Sequence, residues 1–290
     1  MSGWKNAKKI ASSATFRDTD FVSKNSVYKQ PPYEIKPVPG KGLGVIANET
    51  IHRGEKLFSE PAVFIVRDSD MNQLPNDVAL QMLAFAADSL PNKTREMYLS
   101  LHGFSDIVDV EPAYDRLQGN AYSVDGHSTV FPEISRINHD CRPNSHYYTD
   151  QDAWIHTVVA LKTIQPGEEV TVSYLSPYMR TYERAAKIPL SWGFNCTCPS
   201  CAAARKGREA SDERLNRIIN IEKMLSDVSP GRRGSPAAGE RLISLYEQEH
   251  FHGPIALGYT YTALEYSYIG DLTMTKKYAK KAYEMELTWF

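Results

Sequence analysis

The sequence predicts a mixed α+β protein, and three observations carry that prediction. Short runs rich in apolar and β-branched residues, punctuated by glycine and proline, recur through residues 33–67 and 120–174. Between them, Leu80, Leu83, Ala84 and Ala87 repeat at helical spacing. Beyond Ala204 the composition turns helical again, with Leu215, Ile218, Ile219 and Leu225 on one face.

Taken in order, Tyr33 to Ile35 opens an extended segment that Pro37 and Pro39 are expected to break. Glycines 40, 42 and 44 permit a tight turn and close approach to a ligand. Val45 to Ala47 reads as a strand, Ile51 to Glu55 as a turn, and Lys56 to Val66 as one buried strand. Helices follow from Asn76 to Leu90, near Lys93 to Leu101 and around Tyr114 to Asn120. Tyr122 to Val124, Trp154 to Leu161 and Val170 to Tyr174 are β-rich, the last two joined by a turn containing Pro166 and Gly167. Past the helix ending at Leu225, a linker spans Ser229 to Gly239 and a helix runs from Glu240 to about Glu249. Tyr259, Ala263, Tyr266, Gly270-Asp271, Tyr278 and Ala282 partly fit one tetratricopeptide helix pair, and equally any helical hairpin. The last helix reaches Phe290 with no cap signal, so the natural chain is expected to continue.

A chain of 290 residues accommodates two ordinary domains, or one large domain with an appendage. Hydrophobic residues make up 42% and charged residues 23%, the balance of a soluble globular protein, and no apolar run approaches a bilayer span. The net charge of -2 argues against broad electrostatic binding to nucleic acid. Residues 1–30 are locally basic and serine-bearing, read as a flexible arm, with a mitochondrial presequence the other reading.

All four cysteines lie between residues 141 and 201. Cys196, Cys198 and Cys201 form a C-x-C-x2-C cluster, and Cys141 sits upstream in an Asn/Pro-rich turn. Four thiolates are the number that closes a tetrahedral structural zinc site. Disulfides are the alternative, but three cysteines within six positions crowd the Cα separations that bridges need, and no secretory signal opens the chain. Arg142, Arg205 and Lys206 are close enough in sequence to offset the site's negative charge.

Four motifs together resemble the SET-domain methyltransferase family. They are Gly40 to Ala47, the N-H-x-C-x-P-N box from Asn138 to Asn144, the Gly167 to Tyr174 stretch, and the cysteine cluster after Phe194. The similarity runs over about residues 34 to 202 and is nearest the SMYD-like branch. No cysteine falls in residues 67–101, so that branch's MYND zinc insertion is absent. The resemblance implies a knotted β-rich core, with a substrate-shaping helical insert at 67–120. It also implies a zinc-bound post-SET loop at 192–204 and a C-terminal helical region at 205–290. The whole of 31–204 is then one SET domain behind the basic arm.

It implies S-adenosylmethionine as cofactor, structural zinc on the four cysteines, and a protein substrate methylated on a histone or non-histone lysine. Tyr174 would orient the amine, and Tyr122 would line the lysine channel and limit the number of methyl groups. Asn138 and His139 would hold the cofactor's amino-acid end and adenine by hydrogen bonds, Phe194 would pack on the adenine and Trp192 would cap it. Lys41, Gly42, Leu43 and Gly44 would approach the cofactor through backbone groups, with Asn120 and Ser135 at further contacts. Arg136 and Asp140 depart from the branch's pattern, and would either pair with each other or alter the groove entrance. An enzyme of this fold acting on a non-protein amine, or a non-catalytic scaffold, are the alternatives. Partner binding is expected through the C-terminal helices, without direct nucleic-acid or membrane contact. The expected compartment is cytoplasm, nucleus or both, with mitochondrial import open.

Overall fold

The computed structural model describes residues 30–104, 111–229, 231 and 234–286. Residues 1–29 of the basic arm and the last four residues therefore lie outside the described residues. Three small sheets occupy the first two-thirds, and helices follow.

The first sheet has the order β1 (Tyr33–Val38), β2 (Gly42–Ala47), β10 (Glu169–Val172), β7 (Asn138–His139). Strand β1 runs through Pro37 rather than breaking there. It is the sheet's edge, where a residue without an N–H removes no ladder bond. Strand β10 pairs antiparallel with β2 and parallel with β7, setting Thr171 opposite Asn138 and Val172 opposite His139. Two segments about thirty residues apart are thereby laid side by side.

The expected single strand from Lys56 to Val66 is two: β3 (Lys56–Pro61) and β4 (Phe64–Arg67). Strand β3 pairs with β9 (Ile155–Ala160), which also pairs with β8 (Ser145–Asp150). Strand β4 belongs to a third sheet with β6 (His127–Val130) and β5 (Tyr122–Val124). The chain changes partners at Ala62, whose N–H goes to Trp154, and Val63, whose N–H goes to Val130. Val45, Ile51, Phe58, Phe131, Ile134, Ile137, Val158, Val170 and Val172 meet in the core between the sheets, each almost wholly buried.

A short turn of helix α1 (Asp68–Met71) leads into the insert, α2 (Asn76–Asp88), α3 (Asn92–Leu99) and α4 (Pro112–Asn120). Its own core gathers Leu83, Ala87, Tyr98, Leu101 and Leu117, and the Tyr98 phenol donates to the Ala113 carbonyl. After β10 comes α5 (Thr181–Trp192), unanticipated in the sequence, then the short α6 (Pro199–Ala202).

The C-terminal region is α7 (Arg205–Leu225), α8 (Pro236–Gln248), α9 (Ile255–Tyr268) and α10 (Leu272–Glu286). Helix α8 starts four residues earlier than its apolar pattern suggests. Ser235 caps it by accepting from the Ala238 N–H, and Pro236 supplies a ready-made first-turn φ. Helices α9 and α10 form the anticipated hairpin around Gly270, with Tyr259, Ala263, Tyr278 and Ala282 packed between them. No helix among the described residues is long and apolar enough to cross a membrane.

Candidate active site and cysteine cluster

The parallel pairing of β7 with β10 organises the site. The Asn138 side chain donates to the Leu43 carbonyl (3.1 Å) and to Glu169 Oε1 (2.8 Å). Glu169 Oε2 in turn accepts from Lys41 Nζ at 2.6 Å. The turn between β1 and β2 is thus tied to both central strands. Gly42 makes that turn with φ +71°, a left-handed conformation that favours glycine. A Cβ at Gly44 would lie 2.7 Å from Asn138 Nδ2, so the close approach itself requires glycine.

His139 is buried, and its neighbours settle its tautomer. Nδ1 accepts from the Tyr174 backbone N–H at 3.0 Å, which leaves the ring proton on Nε2, 3.3 Å from Cys141 Sγ. Burial pushes its pKa down to about 4, so the imidazole is neutral. One side chain therefore joins the end of β10 to the sulfur cluster. The Tyr174 phenol donates to the Ile137 carbonyl at 2.7 Å, and its ring lies 5.2 Å from His139 and 5.3 Å from Trp192. Phe194 stands on the far side of His139, with ring centroids 6.5 Å apart.

Tyr122 is enclosed by rings, with Phe131 at 5.8 Å, Tyr147 at 5.1 Å and His156 at 4.5 Å. Burial, with the Tyr174 and Tyr147 phenols close by, holds its hydroxyl well above the ordinary phenol range. Tyr174 is pushed up in the same way, by burial and then by Glu169 and Tyr147. Both phenols are consequently neutral donors at physiological pH. Asn120 and Ser135 bond to each other (Ser135 Oγ to the Asn120 carbonyl, 3.2 Å). The Asn120 amide is turned into the insert, donating to the His102 and Arg116 carbonyls.

The four cysteines converge. Their sulfurs lie within 4.8 Å of one another, with Cys141 4.0 Å from Cys196 and 3.6 Å from Cys201. Tetrahedral coordination at a Zn–S distance of about 2.3 Å places sulfurs about 3.8 Å apart, so this cluster could hold that ion. As free thiols they share protons: hydrogen bonding from Cys141 pulls Cys198 down to about 5 and Cys201 lower still, while Cys141 is pushed up.

One cation beside the cluster was not singled out in the sequence. Arg184, on α5 and almost wholly buried, lines a cleft of about 520 Å³ with Cys196 and Cys201. Arg205 lines the same cleft while pairing with Glu209, and Arg142 pairs with Glu249. Arg136 and Asp140 do not pair with each other: Arg136 donates to Ser100 Oγ, and Asp140 accepts from the Arg142 N–H. Tyr147, His156 and Glu60 were missed as well. Glu60 is a lone acid inside an apolar run, which was the available signal.

Residues 42–175 match the SET domain. Among its relatives is Histone-lysine N-methyltransferase set5 of Schizosaccharomyces pombe, 27% identical over 262 residues, which are 88% of this chain and 77% of that protein. N-lysine methyltransferase SMYD2 of Gallus gallus is 27% identical over 139 residues, 42% of this chain and 31% of that protein. Histone-lysine N-methyltransferase SET5 of Candida albicans is 30% identical over 130 residues, 43% of this chain and 26% of that protein. The chain thus spans most of the first but under a third of the other two. All four cysteines are in the cluster, which leaves none for a MYND finger.

Proposed function

We infer that the protein is an S-adenosylmethionine-dependent protein-lysine N-methyltransferase. The observation that carries this reading is the parallel alignment of Asn138-His139 with Thr171-Val172. It delivers the Gly42–Gly44 turn, the Tyr174 phenol and the cysteine cluster to one place.

Lys41 to Gly44, Asn138 and His139 are the residues we assign to the cofactor, with Phe194 and Trp192 as its aromatic cover and Asn120 and Ser135 at its margin. Bound there, S-adenosylmethionine supplies a methyl group on a sulfonium, which a neutral amine displaces in line. The chain's own contribution is to present that amine. Tyr122, Tyr147 and Tyr174 wall the channel with buried, neutral phenols, so an entering ammonium loses water and finds no ionised phenol beside it. Both effects lower its pKa from the ordinary value of about 10.4 and favour the attacking form. Tyr174, fixed by its bond to Ile137, orients the nitrogen.

Zinc on Cys141, Cys196, Cys198 and Cys201 would clamp the 192–204 loop against β7, closing the cofactor side. In this reading 31–204 is the SET domain with the family's knotted core, 67–120 shapes the substrate groove, and 205–290 contributes partner binding. A histone or non-histone lysine is the substrate, in the cytoplasm or nucleus. The test is mass spectrometry of histones and a cell extract incubated with zinc-loaded protein and isotope-labelled cofactor. Labelled methyl-lysine that disappears with Tyr174→Phe supports the reading. Label absent from protein, or carried on small amines, overturns it.

A further inference from the structure

The C-terminal helices reach the candidate site through one buried carboxylate. Glu249 follows α8 and is only 4% exposed. It accepts from Arg142 Nη2 (2.5 Å), Arg214 Nε (2.6 Å) and Ser211 Oγ (2.7 Å). Arg214 and Ser211 belong to α7, but Arg142 is the residue next to Cys141 in the N-H-x-C box. Its other nitrogen, Nη1, donates to the Cys141 carbonyl (2.8 Å) and the Pro177 carbonyl (3.4 Å). Its guanidinium lies 4.6 Å over the Phe251 ring.

Arg142 and Glu249 are thus held in a nearly dry junction, with Arg214 partly exposed beside them, and there charge-assisted bonds are strong and an orphaned charge is costly. The contacts continue without a gap. Glu249 holds Arg142, Arg142 holds the Cys141 carbonyl, Cys141 meets His139 Nε2, and His139 Nδ1 receives the Tyr174 N–H. Strand β7 is only two residues long, so its ladder alone fixes little of the box that follows it.

We propose that Glu249 is a positioning residue for the cofactor site: through Arg142 it holds the Cys141 end of the Asn138–Cys141 segment, so the C-terminal helices set metal retention and cofactor affinity. The proposal rests on the methyltransferase reading for the cofactor, and on the cysteine cluster alone for the metal.

The full, zinc-loaded chain is compared with Glu249→Gln, Arg142→Lys and Leu242→Ala. Leu242 lies in the same C-terminal core as Phe251, but its side chain carries no group that could bond to Glu249 or Arg142. Each variant is measured for thermal midpoint, for zinc release to a chromogenic chelator, and for S-adenosylmethionine affinity by calorimetry. Residues that orient metal ligands typically change affinity by about 10- to 100-fold. We expect Glu249→Gln and Arg142→Lys to release zinc about tenfold faster and to bind cofactor about tenfold more weakly. Leu242→Ala should lower the thermal midpoint and leave both within about twofold. Should Glu249→Gln fail to fold, Arg142→Lys decides, because it keeps a charge on each side of the pair.

Zinc release and cofactor affinity that are unchanged in both junction variants, or equally altered in Leu242→Ala, would overturn the proposal and leave a simple tie between regions. Wild-type protein that binds no cofactor would instead sink the methyltransferase reading, and zinc release would still judge Glu249.

Discussion

Glu60 offers a stability prediction that can be worked from the structure. Its carboxyl group is buried beneath Tyr122, and accepts from the Glu133 and Ile134 backbone N–H groups at 3.0–3.1 Å. Those bonds favour the ionised form, but burial outweighs them and pushes the pKa from its ordinary 4.5 up to about 8. Between these two values the folded chain keeps the proton and the unfolded chain has lost it. Rising pH therefore draws the equilibrium toward the unfolded state, at about 1.4 kcal/mol per pH unit. Stability from this group is complete below pH 4.5 and is lost as pH passes through 8.

Glu60→Gln removes the titration while keeping an acceptor for the same N–H groups. The cysteine cluster also titrates, so the quantity to follow is the difference between variant and wild type. Urea unfolding at pH 5, 6, 7 and 8 should show that difference moving in the variant's favour by about 4 kcal/mol across the range. A difference flat to within about 0.5 kcal/mol would refute the argument, and would mean that the two N–H bonds keep Glu60 ionised.

Gly44→Ala brings a Cβ within 2.7 Å of Asn138 Nδ2 and Val38 Cγ2, and should weaken cofactor binding about tenfold or more by calorimetry, an overpacking cost of about 1–3 kcal/mol. Gly239→Ala meets the Thr262 backbone at 2.9 Å where α8 crosses α9. It should cost a similar amount of stability in chemical denaturation, with zinc content unchanged. Tyr122→Phe deletes the hydroxyl that the proposed function places at the channel wall, and should shift product from mono- toward di- and trimethyl-lysine by mass spectrometry. An unchanged ratio would remove Tyr122 from that role.

Local signals made some of this architecture legible in the sequence. Helix α2 shows its apolar repeat, and the glycines at 40, 42 and 44 mark the turn that Asn138 closes upon. The four cysteines announced their convergence by number and spacing. What stayed hidden depends on tertiary pairing. Nothing between Pro61 and Phe64 says that the chain leaves β9 for β6, because that choice is made by the Trp154 and Val130 carbonyls. Helix α5 was overlooked because Pro189 sits inside it. Its start does carry a cue, the Arg180 N–H donating to the Glu183 carboxylate three residues on. Arg184 was passed over because sequence distance stood in for spatial distance, although Arg205 does line the same cleft. Arg142 in fact faces Glu249, more than a hundred residues away.

The claim on which the rest stands is that the sulfur cluster and the Gly44–Asn138–Tyr174 group form one unit. Calorimetric titration of S-adenosylmethionine into zinc-loaded and chelator-stripped protein tests it most directly. The account predicts one site per chain in the loaded protein and affinity reduced about tenfold or more after stripping. Equal affinity in the two forms, or no binding by the loaded protein, would contradict it.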